Sequence, residues 1–418
     1  MKLAILSDIH LGDDQCVMVT KRHGSLVPGP KYDAFRAAVG TGNDYLVLVG
    51  DIIDLSIAHY EDVYPYAKLF FGQIQKDRIA KEIIYLAGNH DADIWHTVQH
   101  QKSVIKRLER GLLPENFDHS VAGIIDDRAS GGNTPFILDL KTKHPALSNK
   151  HRGMFLDRIT SPTPTVFQFA YPNLYIVTET ETVLVTHGHY LEAYWSALGE
   201  TMAKVAYDDL ELGTVDIEEM VEMNYPLNQL ACTGIGQAGI LTRVVRQVEV
   251  DVKDGNIGRV DKYLRRLDGY IDELIDQGWL KGLVVDYVAG RVRDELLDRL
   301  KETEFTRYSD EFIYKHEVRQ RFRRYYMSSL LEIGDINARL GLGIAAPERV
   351  IFGHTHQPIP WDDDNAPRID AVYTPDSSAP AVITLHNTGG WLQRNGEFCG
   401  AEIFLYNSAD GFSSVSIL

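Results

Sequence analysis

The chain has 418 residues, 44% of them hydrophobic and 24% charged, an ordinary globular composition with room for one elaborated domain or two to three simple ones. Its formal net charge of -17 disfavours a nucleic-acid partner, because non-specific affinity comes from Lys and Arg neutralising phosphates. Three scattered cysteines (Cys16, Cys232, Cys399) argue against a disulfide framework, no apolar run could cross a bilayer, and the start "MKLAILSDIH" is too short for a signal peptide, so cytoplasmic residence is expected.

"KLAILS" at residues 2–7 reads as a buried strand that stops at Asp8. "YLVLV" at 45–49 repeats the pattern and stops at Gly50 and Asp51, and "IIYLA" at 83–87 stops at "GNHD", Gly88 to Asp91. Between these two, "YPYAKLFFGQIQKDRIAKE" carries Ala67, Phe70, Phe71 and Ile74 at helical spacing. Strand, helix, strand predicts parallel strands joined by crossover helices, an α/β class. Residues 117–175, rich in Gly, Pro, Thr and His, read as loop. "ETVLVTHGH" then supplies a strand ending in His187 and His189. Residues 190–345 are charged and helical in pattern, with breaks at Gly269, Gly278, Gly282 and Gly290, and are expected to form an inserted cap or subdomain. "ERVIFGHTH" adds a strand ending in His354 and His356, and "AVITLHNTGGW" and "GAEIFLYN" read as closing strands.

Five times, therefore, an apolar strand ends and metal-capable side chains follow at once: Asp8 and His10, Asp51, Asn89 and His90, His187, then His354 and His356. Open α/β sheets gather ligands at the carboxyl ends of their strands, so these motifs are expected to meet in space. Oxygen and imidazole donors without cysteine suit borderline divalent ions, manganese first, with iron, zinc, nickel or cobalt as alternatives. The seven ligands Asp8, His10, Asp51, Asn89, His187, His354 and His356 are too many for one ion. They suit two if a carboxylate is shared, and Asp51 is the candidate bridge. Two cations roughly 3.5–4 Å apart would lower the pKa of a water held between them and clamp phosphate oxygens for in-line attack. His90, next to Asn89, is the candidate general acid, with Asp91 expected to orient it. Asp54 in "GDIID" is read as support for a ligand histidine, and His189 as either a site residue or a turn cap.

The ordered set "DIH … GD … GNHD … THGH … GHTH" resembles the calcineurin-like metallophosphoesterase family, with its motifs at both ends of the chain in the family's order. The resemblance implies a four-layer α/β/β/α sandwich and a metal-dependent phosphoric ester hydrolase that attacks directly with a metal-bridging hydroxide. It also implies an assignment: Asp8, His10 and His356 on one ion, Asn89, His187 and His354 on the other, and Asp51 between them. Residues 1–189 and 346–418 would form the core, and 190–345 a long helical insert with no counterpart in the minimal members. One branch, the UDP-2,3-diacylglucosamine diphosphatases, is similar in placing a helical cap between the last two histidine motifs. Here the insert is longer, and "GNHD" stands where that branch has "GNRD".

Specificity is expected in the loops and the insert. Lys21 and Arg22, in the loop after His10, are candidates to meet a second phosphate or another anion. "HEVRQRFRRYY" offers Arg319, Arg321, Arg323 and Arg324 either as an anion patch or as an ion-paired helix. The apolar "WLKGLVVDYVAGRV" suggests a surface for acyl chains and peripheral membrane contact. The preferred substrate is thus a small or lipid-linked phosphoester. The rivals are nuclease-type or protein phosphatase activity on the same centre, or a non-catalytic metal-binding scaffold. Oligomeric state is not written in these motifs.

Overall fold

A computed structural model describes residues 1–128, 165–193, 215–235, 312–370, 382–394 and 396–418, with the short pieces 136–137, 150–151, 156, 159–160, 195–196 and 237. The apolar stretch at 279–292 and most of the expected insert lie outside these residues.

The chain opens with β1 (Lys2–Leu6), a hairpin of β2 (Val19–Arg22) and β3 (Ser25–Pro28), α1 (Tyr32–Val39) and β4 (Asn43–Val49). Next come α2 (Tyr60–Lys76), β5 (Ala80–Leu86), α3 (Ala92–His100) and the short α4 (Lys106–Glu109). Strands β6 (Gly123–Asp126), β7 (Phe136–Ile137), β8 (Lys150–His151), β9 (Val166–Ala170), β10 (Asn173–Val177) and β11 (Thr182–Thr186) follow. Two helices follow within the described residues, α5 (Ile217–Gln229) and α6 (His316–Leu340). Asp216 caps α5, its carboxylate accepting the Glu219 N–H at 2.8 Å. The chain closes with β12 (Arg349–Phe352), β13 (Arg368–Asp370), β14 (Val382–Asn387), the pair β15 (Gln393–Arg394) and β16 (Glu397–Phe398), β17 (Ala401–Asn407) and β18 (Gly411–Ile417).

Two seven-stranded sheets result, ordered β18-β17-β1-β4-β5-β9-β8 and β13-β14-β12-β11-β10-β6-β7. Alternate side chains of β1 (Leu3, Ile5), β4 (Val47, Val49) and β5 (Ile84, Leu86) share one buried cluster with Leu174, Ile176, Val183, Val185 and Ile351 of the other sheet. Their sequence neighbours point the opposite way, as the two-residue strand period requires. Ala4, Leu6, Leu46 and Leu48 join Phe35 of α1 and Phe70 and Phe71 of α2, while Tyr175, Leu184 and Val350 join Phe322, Tyr325 and Tyr326 of α6. Burial on both faces explains why these strands read as unbroken apolar runs. Each such side chain contributes about 1.5–3 kcal/mol. The result is the four-layer α/β/β/α sandwich.

Parallel pairing decides where the strands end. β1, β4 and β5 run parallel, as do β11, β12 and β14, so their carboxyl ends line one edge of each sheet. One expectation is corrected: the stretch 117–175, read as loop, holds β6, β9 and the start of β10. These strands are only four or five residues long, too short to show a period. Of the arginines in "HEVRQRFRRYY", Arg319 donates to the Arg368 carbonyl at 3.0 Å and Arg323 to the Asp370 carbonyl at 3.2 Å, which ties that face of α6 to β13. No helix among the described residues is long and apolar enough to cross a membrane.

Candidate metal centre

The strand tips are stitched together before any side chain is considered. Asp8 N–H donates to the Gly50 carbonyl at 3.0 Å and His10 N–H to the Asp51 carbonyl at 2.9 Å, joining the ends of β1 and β4. Across the sandwich, His354 N–H donates to Asp8 Oδ2 at 2.9 Å and Trp391 N–H to the Asp8 carbonyl at 2.9 Å. The turns are tight. Asp8, His10, Asp51, His354 and His356 have φ of 52°, 53°, 53°, 68° and 55°, in the left-handed region; the other described non-glycine residues there are His23 and Arg78. Each such residue costs on the order of 1–3 kcal/mol, a strain that clusters at functional sites. Two glycines make the close approach feasible. A Cβ on Gly50 would lie 2.5 Å from His187 Nδ1, and one on Gly88 would lie 2.8 Å from both His187 Nε2 and Asp51 N.

These turns bring all seven expected ligands together. Asp8, His10 and His356 form one buried group and Asp51, His187 and His354 another, each with its candidate donor atoms within 4.8 Å of one another. His10, Asp51 and His90 form a third that joins them. Asp51 stands between the two sides: its Oδ2 lies 3.1 Å from His187 Nε2 and 4.0 Å from His10 Nε2. Asn89 Oδ1 lies 3.1 Å from His187 Nε2.

Hydrogen bonds on the far side of each ring fix which nitrogen faces inward. His187 donates Nδ1–H to the Val49 carbonyl at 2.8 Å, so Nε2 turns its lone pair towards Asp51 and Asn89. His10 donates Nδ1–H to Asp54 Oδ2 at 2.9 Å, so its Nε2 faces His356 Nε2 at 3.2 Å. Acceptor atoms packed this closely repel one another unless a proton or a cation lies between them. A cation would relieve that repulsion, and this donor set suits a borderline divalent ion.

Without a cation, protons take its place. Burial works against a charged His187 ring, but the Asp51 carboxylate outweighs it and lifts the pKa to about 9. Burial likewise opposes charge on His10, yet hydrogen bonds to Asp54 and Asp8 hold its pKa well above the ordinary value. Burial raises Asp51, and the His187 and His90 charges overcome it and leave the carboxyl well below its usual range. His356 goes the other way. Burial, opposed by Asp8 and assisted by His10 and Arg394, lowers it to about 3.

His90 sits at the edge of the cluster, its ring 4.8 Å from that of His10 and its side chain 12% exposed. The carboxylate that holds it is not the expected one. Asp54 Oδ1 lies 3.0 Å and Ser56 Oγ 2.7 Å from His90 Nδ1. Asp91 instead accepts from Gly88 N–H at 2.6 Å, Ile52 N–H at 2.9 Å and Tyr85 Oη–H at 2.5 Å. It braces the glycine turn, and no described hydrogen bond joins it to His90. Asp54, expected to support a ligand histidine, supports both His10 and His90.

His189 is buried and lies beside the cluster rather than in it, its ring 5.4 Å from that of His187. Its Nε2 meets Asn228 Nδ2 at 3.1 Å and Tyr171 Oη at 3.2 Å, and burial holds its pKa well below the ordinary value. Lys21 and Arg22 are exposed on the β2–β3 hairpin, with no described hydrogen bond or ion pair to the site. Three contributors carry no motif. Glu192 Oε2 lies 2.7 Å from His354 Nε2, Arg394 Nη2 lies 3.0 Å from His356 Nδ1, and Cys232 Sγ donates to the Asn89 and His90 carbonyls, both at 3.3 Å. Their only sequence signal is an isolated acidic, basic and thiol side chain, and such residues are common.

No curated protein matches the chain. The family model described as calcineurin-like phosphoesterase matches residues 1–208, which contain the first four of the five strand-tip motifs. The fold and the clustered Asp and His side chains agree with that match, and the chain belongs to the calcineurin-like phosphoesterases, metal-dependent phosphoric ester hydrolases.

Proposed function

We propose that the chain hydrolyses a small phosphoester at a dinuclear centre held by Asp8, His10 and His356 on one side and Asn89, His187 and His354 on the other, with Asp51 shared. The observation that carries the reading is the meeting of His187 Nε2 with Asp51 Oδ2 and Asn89 Oδ1, each at 3.1 Å. Three lone pairs at that separation make a cation seat. The oxygen and imidazole donors favour manganese. Bound there, two divalent ions acidify water and withdraw charge from phosphoryl oxygens.

The chain's own residues supply the rest. Asp54 orients His10 and, with Ser56 Oγ, takes the Nδ1–H of His90, so a second proton on His90 resides on Nε2. Burial disfavours that second proton, but the Asp54 and Asp51 charges outweigh it and raise the His90 pKa. Held through Nδ1 by Asp54 and Ser56, His90 gives a proton from Nε2 to the departing oxygen as general acid in this reading, worth typically 10²–10⁴-fold. Asp51 Oδ1 accepts the His90 N–H at 2.8 Å, so the shared carboxylate also fixes the backbone that carries the acid. His356 would help hold an ion beside Asp8 Oδ1, which lies 3.1 Å from its Nε2, while its Nδ1 lies 3.0 Å from Arg394 Nη2. Residues 1–189 and 346–418 form the catalytic core in this reading, with 190–345 as an insert in its sequence.

Hydrolysis of bis-p-nitrophenyl phosphate with added manganese tests the assignment. The wild-type protein should turn over, and His90→Ala should lose about 10²–10⁴-fold in kcat while still binding metal. Equal rates remove His90 from its role. A panel of nucleotides, sugar nucleotides, phospholipids and phosphoproteins tests the substrate class: turnover confined to phosphoproteins or to nucleic acid excludes a small phosphoester.

A further inference from the structure

We infer that Glu192 is the positioning residue of the second metal seat, holding His354 in the one tautomer that turns Nδ1 towards the ion pair; the inference rests on the dinuclear reading above. Glu192 follows the helical turn His189–Leu191, where its own N–H donates to the His189 carbonyl at 3.0 Å. It enters the sandwich at the base of the insert and is 1% exposed, next to a His354 that is 2% exposed.

The chemistry of the contact is one-sided. A carboxylate only accepts, so at 2.7 Å from Glu192 Oε2 the His354 Nε2 atom carries the ring proton. The lone pair of the neutral ring is then on Nδ1. His354 belongs to the buried group with Asp51 and His187, so the fixed tautomer decides which atom that group receives. A carboxylate behind a ligand histidine also raises the basicity of the ring, and removing such a partner typically weakens metal binding 10–100-fold.

The rest of the site supports the distinction. Asp54 performs the same service for His10 on the other side, at 2.9 Å. His187 has only the neutral Val49 carbonyl. Each half of the centre thus holds one histidine backed by a buried carboxylate, Asp54 from the core and Glu192 from the foot of the insert. A residue there for packing alone would gain nothing from a charge, since burying a carboxylate costs free energy that an amide of the same shape avoids.

The test uses the full-length protein, stripped with chelator and titrated with manganese, followed by calorimetry and by electron paramagnetic resonance. Wild type should bind two ions and show a spin-coupled pair. Glu192→Gln should keep one seat at wild-type affinity and weaken the other about 10–100-fold, so that isolated manganese appears at intermediate loading and saturating metal restores turnover. Asp54→Asn should weaken the opposite seat. Two wild-type seats in Glu192→Gln overturn the inference while leaving the dinuclear reading intact; a wild-type protein that binds no pair sinks both. If Glu192→Gln fails to fold, Glu192→Asp keeps the charge but draws it back, and two undisturbed seats in that variant overturn the inference equally.

Discussion

Gly88→Ala would add a single methyl group at the centre of the cluster. Its Cβ would lie 2.8 Å from Asp51 N and 2.8 Å from His187 Nε2, with Asp51 Oδ1 closer still. None of these neighbours is the loose end of a long side chain. One is backbone, and the His187 ring is pinned by its bond to the Val49 carbonyl. Overpacking of this kind costs about 1–3 kcal/mol. Gly72→Ala in α2 is the matched control, because a Cβ there meets nothing within 4 Å. Alanine is better than glycine in a helix interior by about 0.8–1 kcal/mol. The same chemical change should therefore have opposite signs at the two positions. Thermal unfolding in excess chelator isolates the packing effect: Gly88→Ala should melt several degrees lower and Gly72→Ala slightly higher than wild type. Manganese titration then reads the site. Gly88→Ala should lose at least about tenfold in affinity, since the atoms it displaces are the candidate donors, and Gly72→Ala should lose none. A Gly88→Ala protein with wild-type melting and wild-type manganese affinity would refute the argument.

Other predictions separate the two carboxylates near His90. Asp54→Asn should weaken manganese binding about 10–100-fold and lower kcat at saturating metal, because an amide has one acceptor oxygen for the two histidines His10 and His90, and neither keeps a charged partner. Asp91→Asn should lower the melting temperature through the Gly88 turn and leave the pH–rate profile unmoved; a shifted acid limb would return Asp91 to the general acid. In chelator, the buried histidines make stability depend on pH in opposite directions. His187 is raised from 6.5 to about 9, so its contribution is complete below pH 6.5 and is lost as pH climbs through 9, on the order of 3 kcal/mol. His356 and His386 are lowered to about 3 and about 4, so their effect is the reverse: stability present above pH 6.5 falls as pH drops towards those values. Urea midpoints should peak near neutrality in chelator, and saturating manganese should flatten the alkaline limb. A flat profile from pH 6.5 to 9 in chelator contradicts the reading.

What could be read from the residues alone follows a physical divide. β1, β4, β5, β11 and β12 were visible because burial on both faces makes each an unbroken apolar run, and the polar residue that ends the run is the one that matters. β6, β9 and β10 were not, because GIID, VFQFA and NLYIV are only four or five residues long and each includes a polar residue, so none is apolar throughout. Within the site, the histidines and Asp51 advertised themselves by following strands. Of their supports, Asp54 is legible as the partner of a ligand histidine, but its second contact, with His90, is not. Asp54 and Asp91 stand equally near motif residues in the sequence, and only the turn geometry sends Asp54 to His90 and Asp91 back to the glycine turn. Glu192, Arg394 and Cys232 reach partners 162, 38 and 142 to 143 residues away in the chain, contacts that no local pattern encodes.

The most direct measurement is anomalous diffraction at the manganese edge from a crystal soaked in that ion. A dinuclear centre should give two peaks roughly 3.5–4 Å apart on either side of the Asp51 carboxylate, one beside Asp8, His10 and His356 and the other beside Asn89, His187 and His354. A single peak, or density away from Asp51, would contradict it.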